Sequence, residues 1–396
     1  MIKKEIKNIK TIYKKKQTNL VSINISVLVG SSNEKKTKKG IAHFMEHMLF
    51  EGTTKRNCEE LTNEIERLGG ELNAYTTTER TNYFIKIHKN HSEKAFEILG
   101  DMICNPLFDE KAIKKEKTVV LGEIKMINDE PRHYQWVLLQ KNIFKKNYSW
   151  PTYGTEKTVK SITKKDLIDF HSENYTKDNI IITIVGDCKK YKDYIEKNFK
   201  NLKSNKNKNN KLTKPEKILK SHKEKKKLKL KYIILGYHTV PRNHKDSYTL
   251  DVIHAILARG QSGKLFIEIR TKRGLGYELG IYHNVSKRFG YFAFYANAEK
   301  RNIKTIKKIF FNEIKKLLDP KQINNDTLSE AKSYIQGHIA IRNEDTQEEA
   351  DITSFFEECN DKFDNYYQKI KKITKTEISQ VVRKYLNNKH CEIIIE

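Results

Sequence analysis

The chain has 396 residues, of which 37% are hydrophobic and 10% aromatic, so it can build ordinary cores and general disorder is not expected. No apolar run is close to the length of a membrane helix, about 18 residues. The Lys-rich N-terminal segment lacks the apolar region of a secretory signal. We therefore expect a cytoplasmic protein of two or three domains that does not enter a membrane.

The net charge of +27 makes nucleic acid a partner to consider. Nearly half of this excess lies in residues 197–231, which hold 15 lysines and only two glutamates. Arginine is scarce and aromatic residues are few in this segment, whereas base readout and base stacking need both. We interpret residues 201–228 as a solvated basic linker between a domain at 1–200 and a second domain at 229–396.

Hydrophobic periodicity and turn residues predict the elements of the first half in chain order. They are a strand at 20–30, a helix within 40–53, a helix at 57–70, a strand pair at 71–88 and a helical stretch at 92–129 that is interrupted at Asn105–Pro106. A capped helix, a turn and a buried, β-branched strand follow within 160–187.

The second half repeats this order, with a strand at 227–240, a helix at 245–258, strands around 277–285 and 290–299, and then helices. The final segment matches 160–187 at several positions. Ile373–Thr374, for example, corresponds to Ile162–Thr163 at a distance of 211 positions. The sequence therefore predicts an α+β fold of two duplicated domains, each an antiparallel-rich sheet with helices packed mainly on one face.

The helix predicted within 40–53, "GIAHFMEHMLFEGT", carries three polar groups on an apolar background. His43, Glu46 and His47 occupy positions i, i+3 and i+4, which share one face of a helix. Two imidazoles one turn apart can both ligate zinc, and a carboxylate beside them can polarise the water molecule that the zinc binds. This is the H-x-x-E-H pattern of inverzincins. The alternative is a pair of core histidines whose hydrogen bonds are satisfied.

A catalytic zinc keeps three protein ligands, so the pattern requires one more. The stretch "KKEKTVVLGEIKMINDEP" contains Glu116 and Glu123, which lie two helical turns apart on one face among apolar residues. The pattern by itself does not choose between these two acids, and it also allows an ordinary exposed glutamate.

These segments together resemble the pitrilysin, insulysin and mitochondrial processing peptidase family of zinc metallopeptidases, in its shorter two-domain form and over nearly the whole chain. The resemblance rests on the His43–His47 helix, on "VVLGEIKMINDEP", on "GGELNAYTTTERTNYF" and on "SGKLFIEIRTKRGLGYELG". It implies one zinc per chain with Glu123, 76 residues after His47, as third ligand, and Glu116 as an auxiliary acid.

The resemblance also implies roles for five further residues. Glu46 would be the general base that takes a proton from the attacking water and passes it to the leaving amine. Asn73 and Ala74 would bind the peptide as an added edge strand. Arg270 and Tyr277 would bind the substrate carbonyl and stabilise the oxyanion.

The function that follows is a zinc-dependent endopeptidase that cleaves oligopeptides or unfolded segments inside a closed chamber. In the two-domain form we expect a homodimer in which Tyr277 acts on the partner's zinc, with a heterodimer of related subunits as the alternative. Two other interpretations are a non-catalytic peptide-binding or structural subunit of the same family and a basic nucleic-acid-associated protein. A non-catalytic subunit is disfavoured because the chain keeps His43, Glu46, His47 and Glu123. A nucleic-acid-associated protein is disfavoured by the composition of the basic segment.

Overall fold

The computed structural model of the chain describes residues 1–204 and 214–396. Within these ranges the strands are β1 (Ile2–Ile6), β2 (Ile9–Lys14), β3 (Leu20–Val27), β4 (Glu71–Thr76), β5 (Thr81–His88), β6 (Ile180–Gly186), β7 (His222–Glu224), β8 (Lys231–His238), β9 (Glu278–Val285), β10 (Gly290–Ala298) and β11 (Cys391–Ile395).

The same ranges contain fifteen α-helices. They are α1 (Ile41–Phe50), α2 (Cys58–Glu66), α3 (Ser92–Cys104), α4 (Glu110–Asp129), α5 (Pro131–Ile143), α6 (Glu156–Lys160), α7 (Lys164–Asn174), α8 (Tyr191–Asn198), α9 (Asp246–Ala258), α10 (Lys264–Phe266), α11 (Lys300–Lys316), α12 (Asn325–Arg342), α13 (Thr346–Glu358), α14 (Tyr366–Lys372) and α15 (Lys375–Tyr385). No helix in the described part of the chain combines the length and apolar composition that a membrane crossing requires.

The strands form two sheets with the same plan. The first sheet has the order β1-β2-β6-β3-β5-β4, and the second has the order β7-β11-β8-β10-β9. In each, one pair is parallel, β2 with β6 and β7 with β11, and the other pairs are antiparallel. The second sheet thus repeats the last five positions of the first, which confirms the predicted α+β class with two duplicated, antiparallel-rich sheets.

The chain divides into two compact units that each borrow a helix from the other half of the sequence. The described residues of the first unit are 1–126, 150–204 and 342–358, so α13 belongs to the first sheet. The second unit comprises 127–149, 214–341 and 359–396, so α5 belongs to the second sheet. Of the predicted linker, residues 205–213 lie outside the described residues, and His222–Glu224 form β7.

Strand β3 is buried along almost its whole length, which shows that the first sheet is covered on both faces. Its apolar side chains alternate with Ser22, Asn24 and Ser26, which lie on the opposite face of the strand. Hydroxyl groups on that face bond to α13, since Ser22 Oγ lies 2.7 Å from Thr346 Oγ1. The borrowed helix therefore satisfies polar groups that an open sheet would present to water.

The second sheet is also covered on both faces, but by apolar contacts. Leu138, Leu139 and Ile143 of α5 are buried in one cluster with Ile234 of β8 and Ile393 of β11. A larger cluster, formed mainly by the strands with α9, α11 and α15, covers the other face. The second unit therefore has an apolar cluster on each side of its sheet.

Candidate metal centre

Helix α1 places the three polar groups of the H-x-x-E-H pattern on one side. It buries the apolar residues Ile41, Ala42, Phe44, Met45, Met48 and Leu49 in the first unit. His43, Glu46 and His47 are partly exposed, and the two imidazole rings meet edge to face with 4.7 Å between their centroids. The helical period therefore separates a core-facing surface from a surface that carries the chemistry.

Helix α4 brings a carboxylate to the same place. The ligand atoms that His43, His47 and Glu123 can offer all lie within 4.8 Å of one another. Oε2 of Glu123 is 3.8 Å from Nε2 of His43 and 3.6 Å from Nε2 of His47. Zinc binds nitrogen and oxygen at about 2.0–2.2 Å, so two ligand atoms of one tetrahedral ion lie roughly 3.4 Å apart. Two imidazoles and one carboxylate at this spacing fit a catalytic zinc.

The environment of His43 is compatible with a metal ligand. Burial, together with the nearby His47, lowers the pKa of His43 to about 4, so its imidazole is neutral at neutral pH and able to bind a metal. Its Nδ1 is buried without a hydrogen-bond partner among the residues that the structure describes. A core histidine is normally satisfied by hydrogen bonds, so this atom argues against the alternative of a satisfied core pair.

The second acid of α4 contacts His47 from the other side of the ring. Oε2 of the buried Glu116 lies 3.1 Å from Nδ1 of His47. A carboxylate on Nδ1 fixes the orientation of the ring and leaves Nε2 available to a metal, as in carboxylate–histidine–zinc arrangements. The two acids of the helical stretch thus have different neighbours, Glu123 near both imidazoles and Glu116 behind one of them.

Glu46 is held from a neighbouring strand. The hydroxyl of Thr76, at the end of β4, donates a hydrogen bond to Oε2 of Glu46. Burial raises the pKa of Glu46 above its usual range, whereas the Thr76 hydroxyl and the nearby His47 oppose that rise. A carboxylate with a raised pKa beside a metal position has the properties of a general base.

The residues predicted to bind peptide lie on β4, which is an edge strand. It pairs with β5 on one side, and in the described part of the chain no strand pairs with its other side. The Ala74 N–H donates to Oδ1 of its own neighbour Asn73 at 2.8 Å. This strand edge can therefore accept an extended peptide, whose main-chain carbonyl would replace Asn73 Oδ1 as the acceptor of the Ala74 N–H.

Arg270 and Tyr277 lie in the second unit, where the structure brings them together. Arg270 belongs to the π-helical turn Ile267–Thr271, which continues α10. Its Nη1 donates to the carbonyl oxygen of Tyr277 at 2.6 Å, while the side chain of Tyr277 is 67% exposed. π-Helical turns occur frequently at functional sites, and an exposed tyrosine hydroxyl is available to a ligand.

Comparison with known proteins decides the family. The protein-family model described as Insulinase (Peptidase family M16) matches residues 10–156. The family model described as Peptidase M16 inactive domain matches residues 161–335. An uncharacterized zinc protease of Rickettsia felis is 31% identical over 82% of this chain and 79% of its own length. The uncharacterized zinc protease YmxG of Bacillus subtilis is 30% identical over 82% of this chain and 80% of its own length.

The chain belongs to peptidase family M16. The relatives are named zinc proteases, which agrees with the donor set of α1 and α4. The fold agrees as well, because a solved protease structure from Helicobacter pylori superimposes with a TM-score of 0.94 at 23% identity. That comparison covers 100% of this M16 chain and 99% of the other.

Two residues that contact the helix of the candidate metal centre were not predicted from the sequence. Thr76 lies in the segment predicted to bind substrate, but its bond to Glu46 spans 30 positions and has no local signal. Glu34 accepts two backbone hydrogen bonds at the start of α1. Its signal was available, because Gly40, the N-cap residue of α1, has no side chain to cap the helix, and an acid a few residues upstream could supply the missing acceptor.

Proposed function

We propose that this M16 protein is a zinc-dependent endopeptidase that cleaves oligopeptides or unfolded segments in a closed chamber. One zinc per chain would be held by His43, His47 and Glu123. The observation that carries the proposal is the convergence of two imidazoles and one carboxylate within 4.8 Å, with Glu46 on the same helix face.

The chemistry divides between the metal and the chain. When bound, zinc supplies Lewis acidity that polarises the scissile carbonyl and acidifies the attacking water. Glu46 takes the proton of that water on its carboxylate and delivers it to the leaving amine. The Thr76 hydroxyl holds Oε2 of Glu46, which leaves Oε1 for the proton. Glu116 keeps the His47 ring in place.

Substrate binding in this proposal is largely independent of sequence. An extended peptide joins the free edge of β4 at Asn73 and Ala74 through main-chain hydrogen bonds. Arg270 and Tyr277 bind the substrate carbonyl and stabilise the oxyanion. Two observations support a role in binding the substrate carbonyl: Tyr277 is exposed, and Arg270 donates a hydrogen bond to its backbone carbonyl.

The first experiment compares wild type, Glu46→Gln and the exposed control Glu59→Gln. Each protein is assayed for cleavage of a quenched fluorescent peptide mixture and for bound zinc. We expect all three to hold about one zinc per chain, and Glu46→Gln to lose at least about 10²-fold in kcat/KM. Wild type that holds zinc but does not cleave would identify a non-catalytic, peptide-binding member instead. Wild type without zinc would reject the proposed metal centre.

The proposed homodimer, in which Tyr277 serves the partner's metal, has its own test. Glu46→Gln and Tyr277→Phe are co-expressed so that mixed dimers form. If Tyr277 acts across the interface, one site of each mixed dimer keeps both groups, and activity returns although each variant by itself is inactive. Mixed dimers without activity would place Tyr277 and Glu46 of one chain in the same site. A wild-type chain that is monomeric and inactive would instead favour a heterodimer with a related subunit.

A further inference from the structure

Helix α1 begins without an ordinary cap. Its N-cap residue is Gly40, which has a φ angle of 93° and no side chain to accept a hydrogen bond. The first N–H groups of a helix have no partner within the helix and need an acceptor from elsewhere. Gly40 also has no room for a larger residue, since an added Cβ would lie 2.4 Å from the carbonyl oxygen of Tyr153.

Glu34 supplies the missing acceptor. Its Oε2 accepts the N–H of Gly40 and its Oε1 accepts the N–H of Ala42, both at 2.9 Å. The residue is only 2% exposed, so both oxygen atoms are directed inward at the helix start. Burial raises the pKa of Glu34 to about 8, whereas the two backbone N–H groups and the nearby Lys39 oppose that rise.

The loop that carries Glu34 is itself fixed to the turn between β4 and β5. Backbone N–H groups of Ser31 and Ser32 donate to the carbonyl oxygens of Thr77 and Thr78 at 3.2 and 2.9 Å. The buried Lys39 closes the loop, because its Nζ donates to the Ser31 carbonyl at 2.9 Å. The loop therefore joins the start of α1 to the turn that follows Thr76, the partner of Glu46.

The position of Glu34 relative to the metal-binding residues is asymmetric. Glu34 accepts the N–H of Ala42, the residue directly before His43 in the first turn of α1. His47 lies a turn deeper in the helix and is held separately by Glu116. Fraying of the first turn would therefore displace His43 before it displaces His47.

We propose that Glu34 is a positioning residue of the metal centre, which fixes the first turn of α1 and with it the His43 imidazole. This inference rests on the proposed function, because it concerns the site that would hold zinc. It assigns the loop before α1 a part in zinc affinity, in addition to its part in folding.

The test uses full-length wild type, Glu34→Gln, Glu34→Ala and the control Glu60→Gln. Glu60 is matched, because its Oε2 accepts the N–H of Asn57 at the start of α2, which carries no site residue. Zinc affinity is measured by competition with a chelator, and ligand geometry by the absorption spectrum of the cobalt(II)-loaded protein. Thermal unfolding of the metal-free proteins reports stability separately.

We expect zinc affinity to fall about tenfold in Glu34→Gln and further in Glu34→Ala, within the range of about 10–100-fold for residues that support metal ligands. The cobalt(II) spectrum should change in both, while Glu60→Gln keeps the wild-type affinity and spectrum. Glu34 variants that melt earlier but keep wild-type affinity and spectrum would reduce Glu34 to a folding role and overturn the inference. If Glu34→Ala does not fold, the isosteric Glu34→Gln decides alone. A wild type that binds no zinc would instead reject the proposed function, and the inference with it.

Discussion

Nδ1 of His47 and Oε2 of Glu116 lie 3.1 Å apart, although the two residues belong to different helices. Nε2 of the same ring faces Glu123 at 3.6 Å. The ring is therefore held on one side by a buried acid and faces the candidate metal position with the other. This explains why α4 carries two glutamates on one face, since they serve opposite sides of one imidazole.

The first prediction concerns this contact. Glu116→Gln removes the negative charge that strengthens the bond to His47, so we expect zinc affinity to fall about tenfold. Chelator competition on the purified variant measures the change, with Glu110→Gln in the exposed first turn of α4 as control. Equal affinities for Glu116→Gln and wild type would show that the ring needs no such support.

The second prediction concerns the Thr76 hydroxyl, which donates to Oε2 of Glu46. A donor stabilises the charged carboxylate and lowers its pKa, so Thr76→Val leaves the effect of burial less opposed, and the pKa of Glu46 rises further. A hydrogen bond to a charged group contributes about 1.5–3 kcal/mol. One pKa unit corresponds to about 1.4 kcal/mol, so we expect a rise of about one to two units.

The measurement is the pH dependence of kcat/KM. Because Glu46 must be charged to act as a base, the acid limb of the profile should move to higher pH by about one to two units in Thr76→Val. Thr78→Val, in the turn that follows β4, should keep the wild-type profile. An unshifted acid limb in Thr76→Val would mean that another group controls it.

The metal centre was only partly predictable from the sequence. His43 and His47 are one turn apart, so the helical period alone places them together. Glu123 lies 76 positions further on, and only the family resemblance separated it from Glu116. Periodicity does not encode the contact of Glu34 with α1, although the glycine at the N-cap position signals that an acceptor is needed there.

The fold shows the same division between local and distant information. The strand predicted at 20–30 and the interruption predicted at Asn105–Pro106 agree with β3 and with the break between α3 and α4. Strands β1 and β2 were not predicted, because their Lys-rich sequence lacks a strong apolar alternation and β2 pairs with the distant β6. The exchange of α5 and α13 between units also has no local signal.

The third prediction tests how α13 binds the first sheet. Ser26 Oγ lies 2.7 Å from Ser354 Oγ, and it donates to Oδ1 of Asn82 at 2.7 Å. Ser26 and Ser354 are fully buried, so either substitution by alanine leaves a polar group without its partner and should cost about 1–3 kcal/mol. The free energy of unfolding of the double variant should fall by less than the sum of the two single losses, with a difference of at least about 0.5 kcal/mol. Urea unfolding of wild type, the two single variants and the double variant measures this difference. Strict additivity would mean that the two hydroxyls do not interact.

The fourth prediction concerns Asp251, which joins three elements of the second unit. Its Oδ2 accepts Arg242 Nη2 at 2.9 Å and the Tyr366 hydroxyl at 2.7 Å, and its Oδ1 lies 2.8 Å from His283 Nδ1. Burial opposes the charged form, but the Arg242 guanidinium and His283 hold the pKa of Asp251 well below its usual range. This carboxylate therefore contributes to the stability of the unit while it is charged.

Asp251→Asn removes the carboxylate that pairs with the buried Arg242, so we expect it to lower the free energy of unfolding at pH 7 by about 3–5 kcal/mol. The sign of the pH dependence follows from the lowered pKa. The contribution is fully present above the unfolded pKa of about 3.9 and is lost as the pH falls from there through the folded pKa. The difference between variant and wild type should therefore shrink below about pH 4. Urea unfolding across this range measures it, and the exposed Asp326→Asn should change stability by less than about 0.5 kcal/mol. A difference that stays constant down to about pH 3 would mean that the charge of Asp251 does not carry the effect.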